Sequence, residues 1–322
     1  MLEEGILDTS FTPLVEEGYA CLPLKRRSKC VLKYGVLLSG LKFRRKKRVN
    51  PINMIRDEAC IPPEMKHLLP KRWKIIGKIV VLRIPEKLMA YREEVGRAYA
   101  RVLHATGVIH INSITGEFRK PDTVLLYGKD TLTLHKENGV RFRLDLSKVM
   151  FSKGNTFERQ RLIHLVKNGE CILDMFAGIG YFSLPIAVHA RPSVVYACEK
   201  DPVSFEFLRE NIRLNHVEHI VKPVLADAKV FFPEVKCDRI IMGYIPEKGE
   251  WIDDRVAPWG FLDTAISNLS ESPGATIHLH TLEKRSAPPF TGVKNLKVVN
   301  HRYVKSYAPG IWHAVYDLMR EP

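Results

Sequence analysis

The sequence has no run of eighteen or so consecutive apolar residues and no low-complexity tract. The first absence argues against a membrane-spanning helix, and the second against a long linker or a disordered repeat. Its start, MLEEGILDTS, is acidic and lacks the basic-then-apolar pattern of a signal peptide. The six cysteines stand at 21, 30, 60, 171, 198 and 237, with no C-x-x-C pair for a metal knuckle. They are expected as reduced thiols packing as small hydrophobes, with no metal, in a soluble cytoplasmic protein. Acidic residues are also in deficit: 36 Asp and Glu against 50 Lys and Arg give a net charge of +14 and a pI near 9.5. Such an excess favours a polyanionic partner, most often a nucleic acid.

What is present changes character along the chain. Residues 1–70 hold Lys25-Arg26-Arg27 and the run KFRRKKR at 42–48, punctuated by prolines at 51, 62, 63 and 70. This region reads as a basic N-terminal arm, the run being either a solvated face or a phosphate-contacting strip. Residues 71–150 read as a small α/β module. KIIGKIVVLRI (74–84) predicts a strand, and the segment opened by Pro85 carries apolar residues at helical spacing from Leu88 to Leu103, with Gly107 after its end. VIHINSI, TVLLYG, TLTLHKENG and VRFRLDL follow as short strands of one small mixed sheet.

From 151 to 322 strand and helix alternate. ECILDMF, SVVYACEKD, VKPVLAD, CDRIIMGYI and GATIHLHTLE read as strands, with helices in the segments between the first three of them and over Trp259 to Leu269 between the last two. A doubly wound parallel sheet follows, closed by an antiparallel hairpin around the Pro-Gly turn of VVNHRYVKSYAPGIWHAVYDLM. The fold class is therefore α/β, Rossmann-like, with a smaller N-terminal α/β module.

In such a sheet, ligands sit beyond the carboxyl ends of the strands. Asp174 ends the first strand, and Ala177-Gly178-Ile179-Gly180 makes the turn into the first helix, where Gly178 lets backbone approach a ligand. Glu199 ends the second strand, where a carboxylate can accept from both ribose hydroxyls. Asp227-Ala228 ends the third, where a carboxylate can accept from an adenine amino group. Three acids at three successive strand ends suggest S-adenosylmethionine. A dinucleotide fits less well, because G-x-G-x-x-G is incomplete, with Ser183 at its last position.

The segments KVMFSKGNTFERQRL (148–162), ILDMFAGIGYFSLPIAVHA (172–190), CEKDP (198–202), DRIIMGYIP (238–246), GATIHLH (274–280) and VKSYAPGIWHAVYDL (304–318) carry a further signal. From about Leu69 onward the chain resembles the tRNA wybutosine-synthesizing protein 2 family, sister to the tRNA guanine-37 N1-methyltransferases. The resemblance implies a class I methyltransferase fold. It also implies transfer of the 3-amino-3-carboxypropyl group of S-adenosylmethionine to 4-demethylwyosine at position 37 of phenylalanine tRNA; the chain itself is expected to act as a monomer. It assigns cofactor contacts to Ser152, Arg159, Glu199 and Asp227-Ala228, the first two suiting the polar methionine tail.

Sister enzymes carry an Asn-Leu-Pro or Asn-Pro-Pro turn beside the nucleophile, whereas this chain reads Gly243-Tyr244-Ile245-Pro246, with no side-chain amide. Gly243 leaves room for a longer carbon chain to swing toward the acceptor; that the chain is then moved rests on the resemblance. N1-guanine methylation is the alternative enzyme reading, and a non-catalytic RNA-binding subunit the alternative of another class. No catalytic base stands out. His278 and His280 share a strand face without a third ligand, and Tyr244 and Trp312 suit core packing better than stacking on a flipped base. The proline-bearing stretch 284–297 is too short for the last crossover helix.

Overall fold

A computed structural model describes residues 7–8, 10–16, 19–25, 41–43, 50–245, 251–293 and 295–321. Arg44 to Arg48 of the basic run, Arg26 and Arg27, and Pro246 lie outside the described residues. The chain divides into two units, Met1–Asp57 and Glu58–Pro322. In the first, β1 (Leu14–Glu16) and β2 (Tyr19–Cys21) pair antiparallel. The helix α1 (Pro51–Glu58) begins at a proline, with Asn50 Oδ1 accepting from the Ile52 N–H at 3.2 Å.

The second unit opens with β3 (Lys74–Ile76) and β4 (Ile79–Leu82). The run 74–84 is thus a hairpin and not one strand. Gly77 turns the chain at φ +58°, and a Cβ there would lie 2.1 Å from Thr133 Oγ1, so only glycine fits. A 3-10 turn over Glu86–Tyr91 precedes α2 (Arg92–Leu103), so the helix starts later than Pro85 suggested. It ends at His104, in the left-handed region at φ 52°, and Gly107 instead opens β5 (Gly107–Thr115). With β6 (Lys120–Tyr127) these strands form a sheet in the order β3-β4-β5-β6, mixed because β4 and β5 are parallel.

The strands β7 (Leu132–Glu137) and β8 (Val140–Asp145) form a separate two-stranded sheet, so the one small sheet expected from sequence is two. Their turn is Asn138-Gly139, both at positive φ, which matches the twist of a tight hairpin.

Next come α3 (Thr156–Leu165), β9 (Cys171–Asp174), α4 (Ser183–His189), β10 (Val194–Glu199), α5 (Pro202–Leu214), β11 (Val221–Leu225) and β12 (Arg239–Met242). The last part holds β13 (Arg255–Val256), α6 (Leu262–Asn268), β14 (Thr276–Lys284), β15 (Gly292–Val293), β16 (Leu296–Ala308) and β17 (Ile311–Arg320). The main sheet runs β11-β10-β9-β12-β14-β17-β16-β15, parallel from β11 to β14, with β17 antiparallel to both neighbours. All four residues of β9 and of β12 are buried, as strands in the centre of a parallel sheet are. From β9 the chain builds outward through β10 and β11, then returns to β12 on the other side. That reversal leaves the crevice at the end of β9. Among the described residues no helix joins β14 to β16, as the short stretch 284–297 implied.

Two polar clamps hold the site's elements. Asn211 of α5 accepts from the Arg143 N–H (2.7 Å) and donates to the Arg143 carbonyl (3.1 Å), tying β8 to the main domain. Asp317 of β17 takes Arg161 of α3 (2.6 Å), His278 of β14 (2.6 Å) and Asn300 of β16 (2.8 Å). Burial pushes the Asp317 carboxyl up, but the bonds from His278 and Arg161 outweigh it and hold it below the usual range. Cys171, Cys198 and Cys237 are buried free thiols; Cys60 is an exposed one.

Candidate active site

The crevice at the end of β9 is a cavity of about 240 Å³. Ser152, Arg159, Gly178, Glu199, Asp227 and Ala228 all line it, so every contact residue expected from sequence lies on one cavity.

Gly178 sits at φ +57°, and a Cβ there would lie 2.5 Å from the Tyr181 ring. Its N–H donates to Glu199 Oε2 at 2.7 Å, and the Asp201 N–H donates to Oε1 at 2.7 Å. Each carboxylate oxygen keeps a lone pair for a ligand. Burial raises the Glu199 carboxyl to about 6 despite those two bonds. Asp174, wholly buried and bonded to Ser183 Oγ at 2.6 Å, is raised to about 6 for the same reason. It holds the turn from below. Asp227 is the more open acid. The Lys229 N–H donates to it (2.9 Å) and Lys200 pairs with it (3.0 Å), which keeps it below the usual range against partial burial. Ala228 is buried beside it.

The opposite wall differs from the expected pattern. Arg159 is 2% exposed and most of its fork is used: Nε and Nη2 donate to Glu137 (2.7 and 3.0 Å), Nη1 and Nη2 to the Ser152 carbonyl (3.2 Å), and Nη2 also to Thr156 Oγ1 (3.2 Å). Ser152 Oγ accepts from Lys305 Nζ at 2.9 Å. Lys305, Asn155, Arg119 and His313 also line the cavity and were not singled out from sequence. Lys305, Asn155 and His313 sit inside segments that carried the resemblance, which was the available signal. Arg119 lies at the β5–β6 turn, and nothing local marks it.

Gly243 also lines the cavity, but a Cβ there would meet the Phe182 ring at 2.8 Å, so the room it leaves is shared with Phe182. Tyr244 stacks on Phe176 with centroids 5.1 Å apart and lines the cavity; Trp312 packs on Tyr303 and beneath Arg285. His278 and His280 are both buried, the first on Asp317 and the second 3.0 Å from His313 Nε2, and burial lowers both. No cluster of metal-ligating side chains occurs among the described residues.

Two family models match, the TRM5/TYW2 methyltransferase domain over residues 133–305 and the TYW2 N-terminal domain over 55–131. The first alone covers more than half of the chain. The chain belongs to the TRM5/TYW2 methyltransferase family. Its α/β fold is accordingly the class I, Rossmann-like fold of S-adenosylmethionine-dependent methyltransferases. A Pyrococcus horikoshii relative, tRNA(Phe) (4-demethylwyosine(37)-C(7)) aminocarboxypropyltransferase, is 41% identical over 269 residues, covering 80% of this chain and 92% of the relative. A Pyrococcus abyssi relative, the tRNA (guanine(37)-N(1))-methyltransferase Trm5b, is 32% identical over 332 residues, covering 98% and 93%. The crystal structure of P. horikoshii TYW2 in complex with MeSAdo superposes with a TM-score of 0.69 at 37% identity, over 83% of this chain and 98% of that one. Within the TRM5/TYW2 family, then, the chain is similar to both branches.

Proposed function

We propose that this chain transfers the 3-amino-3-carboxypropyl group of S-adenosylmethionine to C7 of 4-demethylwyosine at position 37 of tRNA(Phe). The observation that carries this is the cavity wall at Gly243-Tyr244-Ile245. It offers no side-chain amide to a guanine, in a chain more similar to an aminocarboxypropyltransferase (41% identity) than to Trm5b (32%). When bound, S-adenosylmethionine supplies a sulfonium-activated carbon chain and leaves as 5′-methylthioadenosine. Glu199 and Asp227 accept from ribose and adenine, while the Gly178 turn gives the nucleoside backbone to rest on. With the leaving group already activated, the protein contributes mainly positioning.

The partner is tRNA, and we assign its binding to residues 71–150 with the arm 1–70, leaving catalysis to 151–322. The β5–β6 turn supports this division. It brings exposed Phe118 and basic Arg119 to the cavity, and Glu117 pairs there with Lys200 at 2.8 Å. An aromatic beside a cation suits an unstacked base and its phosphate. No helix among the described residues is long and apolar enough to cross a membrane. The chain acts as a monomer in the cytoplasm on this reading.

Mass spectrometry of tRNA from cells lacking the activity, after incubation with the protein and S-adenosylmethionine, tests the function. A gain of one aminocarboxypropyl group is expected. A gain of one methyl instead would overturn it in favour of N1-guanine methylation, a reading kept open by the 98% of this chain that aligns with Trm5b. Neutralising Arg44, Arg45, Lys46 and Lys47 tests the arm. Each lost phosphate contact should flatten the log–log salt dependence of tRNA binding by about 0.7–0.9. An unchanged slope would move recognition wholly into residues 71–150.

A further inference from the structure

The amino acid tail of the donor ends in a carboxylate that must meet a cation, and the arginine that sequence offered for it has four of its five N–H donors engaged within the protein. Arg159 is locked between Glu137 and the Ser152 carbonyl. Lys305 is in the reverse situation. Its half-buried ammonium touches two neutral acceptors, Ser152 Oγ at 2.9 Å and Asn155 Oδ1 at 2.8 Å, and among the described residues no carboxylate lies within ion-pair distance. An ammonium has three donors, so one remains for the cavity that Lys305 lines. The charged groups acting on it are Lys74 of β3, Arg119 of the β5–β6 turn and Arg159 of α3, all positive. Burial first, and then these three, lower Lys305 to about 8. A desolvated cation among cations, facing an open cavity, is an arrangement that an arriving anion relieves.

The backbone lies close to this side chain. A Cβ on Gly154 would lie 2.8 Å from Lys305 Cδ and 3.2 Å from Nζ, so the lysine runs close over the Gly154 backbone on its way to Ser152 and Asn155.

We propose that Lys305 binds the carboxylate of the donor's amino acid tail, with Ser152 and Asn155 orienting its ammonium. Arg159 is then a positioning residue, holding the Ser152 backbone through its pair with Glu137. The inference rests on the reading of the cavity as an S-adenosylmethionine site. It has a consequence for the reaction: the anchored carboxylate belongs to the carbon chain that moves, so the grip acts on the migrating group while Glu199 and Asp227 grip the part that leaves.

Calorimetry with three ligands tests it: S-adenosylhomocysteine, which carries the whole tail; its decarboxylated analogue, which keeps only the amine; and 5′-methylthioadenosine, which has no tail. Lys305→Met should weaken S-adenosylhomocysteine about tenfold or more, as loss of a bond to a charged group does, and leave the other two within about twofold. Lys305→Gln removes the charge but keeps an amide donor for Ser152 and Asn155, and should weaken S-adenosylhomocysteine in the same selective way, which decides the matter if Lys305→Met does not fold. Equal losses for all three ligands, or no loss for any, would overturn the proposal. So would unchanged S-adenosylhomocysteine binding together with weaker tRNA binding, which would make Lys305 a phosphate contact. A wild-type protein that binds none of the three ligands, or that moves a methyl, refutes the functional reading itself. A wild-type protein that transfers the aminocarboxypropyl group while Lys305→Met binds S-adenosylhomocysteine normally refutes only this inference.

Discussion

The wall of the cavity that carries Glu199 and Asp227 is made from consecutive pieces of chain, and the facing wall is made from distant ones. Gly178 and Glu199 are 21 residues apart and sit at the ends of the adjacent parallel strands β9 and β10. Lys305 meets Ser152 and Asn155 across 153 and 150 residues, and β16 lies four strands away from β9 in the sheet. The first wall is a local consequence of the strand–turn–helix units: each strand end delivers an acid to the same crevice. The second exists only once α3 has docked on β17 through Arg161 and Asp317 and the antiparallel hairpin has closed. The buried ion pairs that hold the second wall are expected to fail by unfolding, and the groups that face the cavity from either wall to fail by losing ligand.

The largest expected effect tests that difference. Arg159→Ala should cost about 3–5 kcal/mol of folding stability, because it leaves the charge of Glu137, with its side chain 11% exposed, only the Thr156 hydroxyl. Denaturant unfolding measures this, and a loss below about 1 kcal/mol would mean that the pair is as weak as a surface one. In the fraction that folds, affinity for 5′-methylthioadenosine should persist, since the nucleoside wall does not depend on Arg159.

Glu199→Ala should behave in the opposite way, folding normally while losing about 1.5–3 kcal/mol of affinity for S-adenosylhomocysteine and 5′-methylthioadenosine alike. Unequal losses would place Glu199 on the tail and break the division between the walls. The same carboxyl predicts a pH dependence. It ionises near 6 in the free protein because burial penalises its charge, and hydroxyl donors from a ribose favour the charged form. Affinity for 5′-methylthioadenosine should therefore hold above pH 6 and decline as pH falls through it. Glu199→Gln should flatten the decline; a decline that survives the substitution would belong to Asp174, also near 6.

The same contrast explains what the sequence disclosed. The nucleoside wall was legible because its signal is short-range: strands ending in Asp174 and Glu199, a third that stops at Leu225 two residues before Asp227, and glycines at a turn that requires positive φ at Gly178. The hairpin of β16 and β17 and the missing crossover helix were legible for similar local reasons. Gly77 was misread because its role is set by Thr133 and Leu134, some fifty residues on, against which a Cβ would clash. Lys305 and Asn155 were passed over because neither differs from an ordinary surface residue until the sheet brings them together. Arg159 had the right chemistry for a carboxylate, but nothing in its neighbourhood showed that Glu137 would occupy it first.

The smallest expected effect comes from the most open acid. Asp227 is 31% exposed at its side chain and already shares its charge with Lys200 at 3.0 Å, so water and that lysine dilute what it can give a ligand. Asp227→Asn should weaken 5′-methylthioadenosine by only about 0.5–1.5 kcal/mol, the range of one ordinary hydrogen bond. The choice of ligand shows more than the size of the loss. A carboxylate can only accept, so the wild-type protein should prefer the adenine compound, whose exocyclic amino group donates, over 5′-methylthioinosine, whose oxygen repels it. An asparagine can do both, and the preference should shrink in Asp227→Asn. If the two ligands bind the wild-type protein equally, the base is held elsewhere, by the backbone at Ala228 or by the Phe176 and Tyr244 rings. The nucleoside wall would then be defined by Glu199 alone.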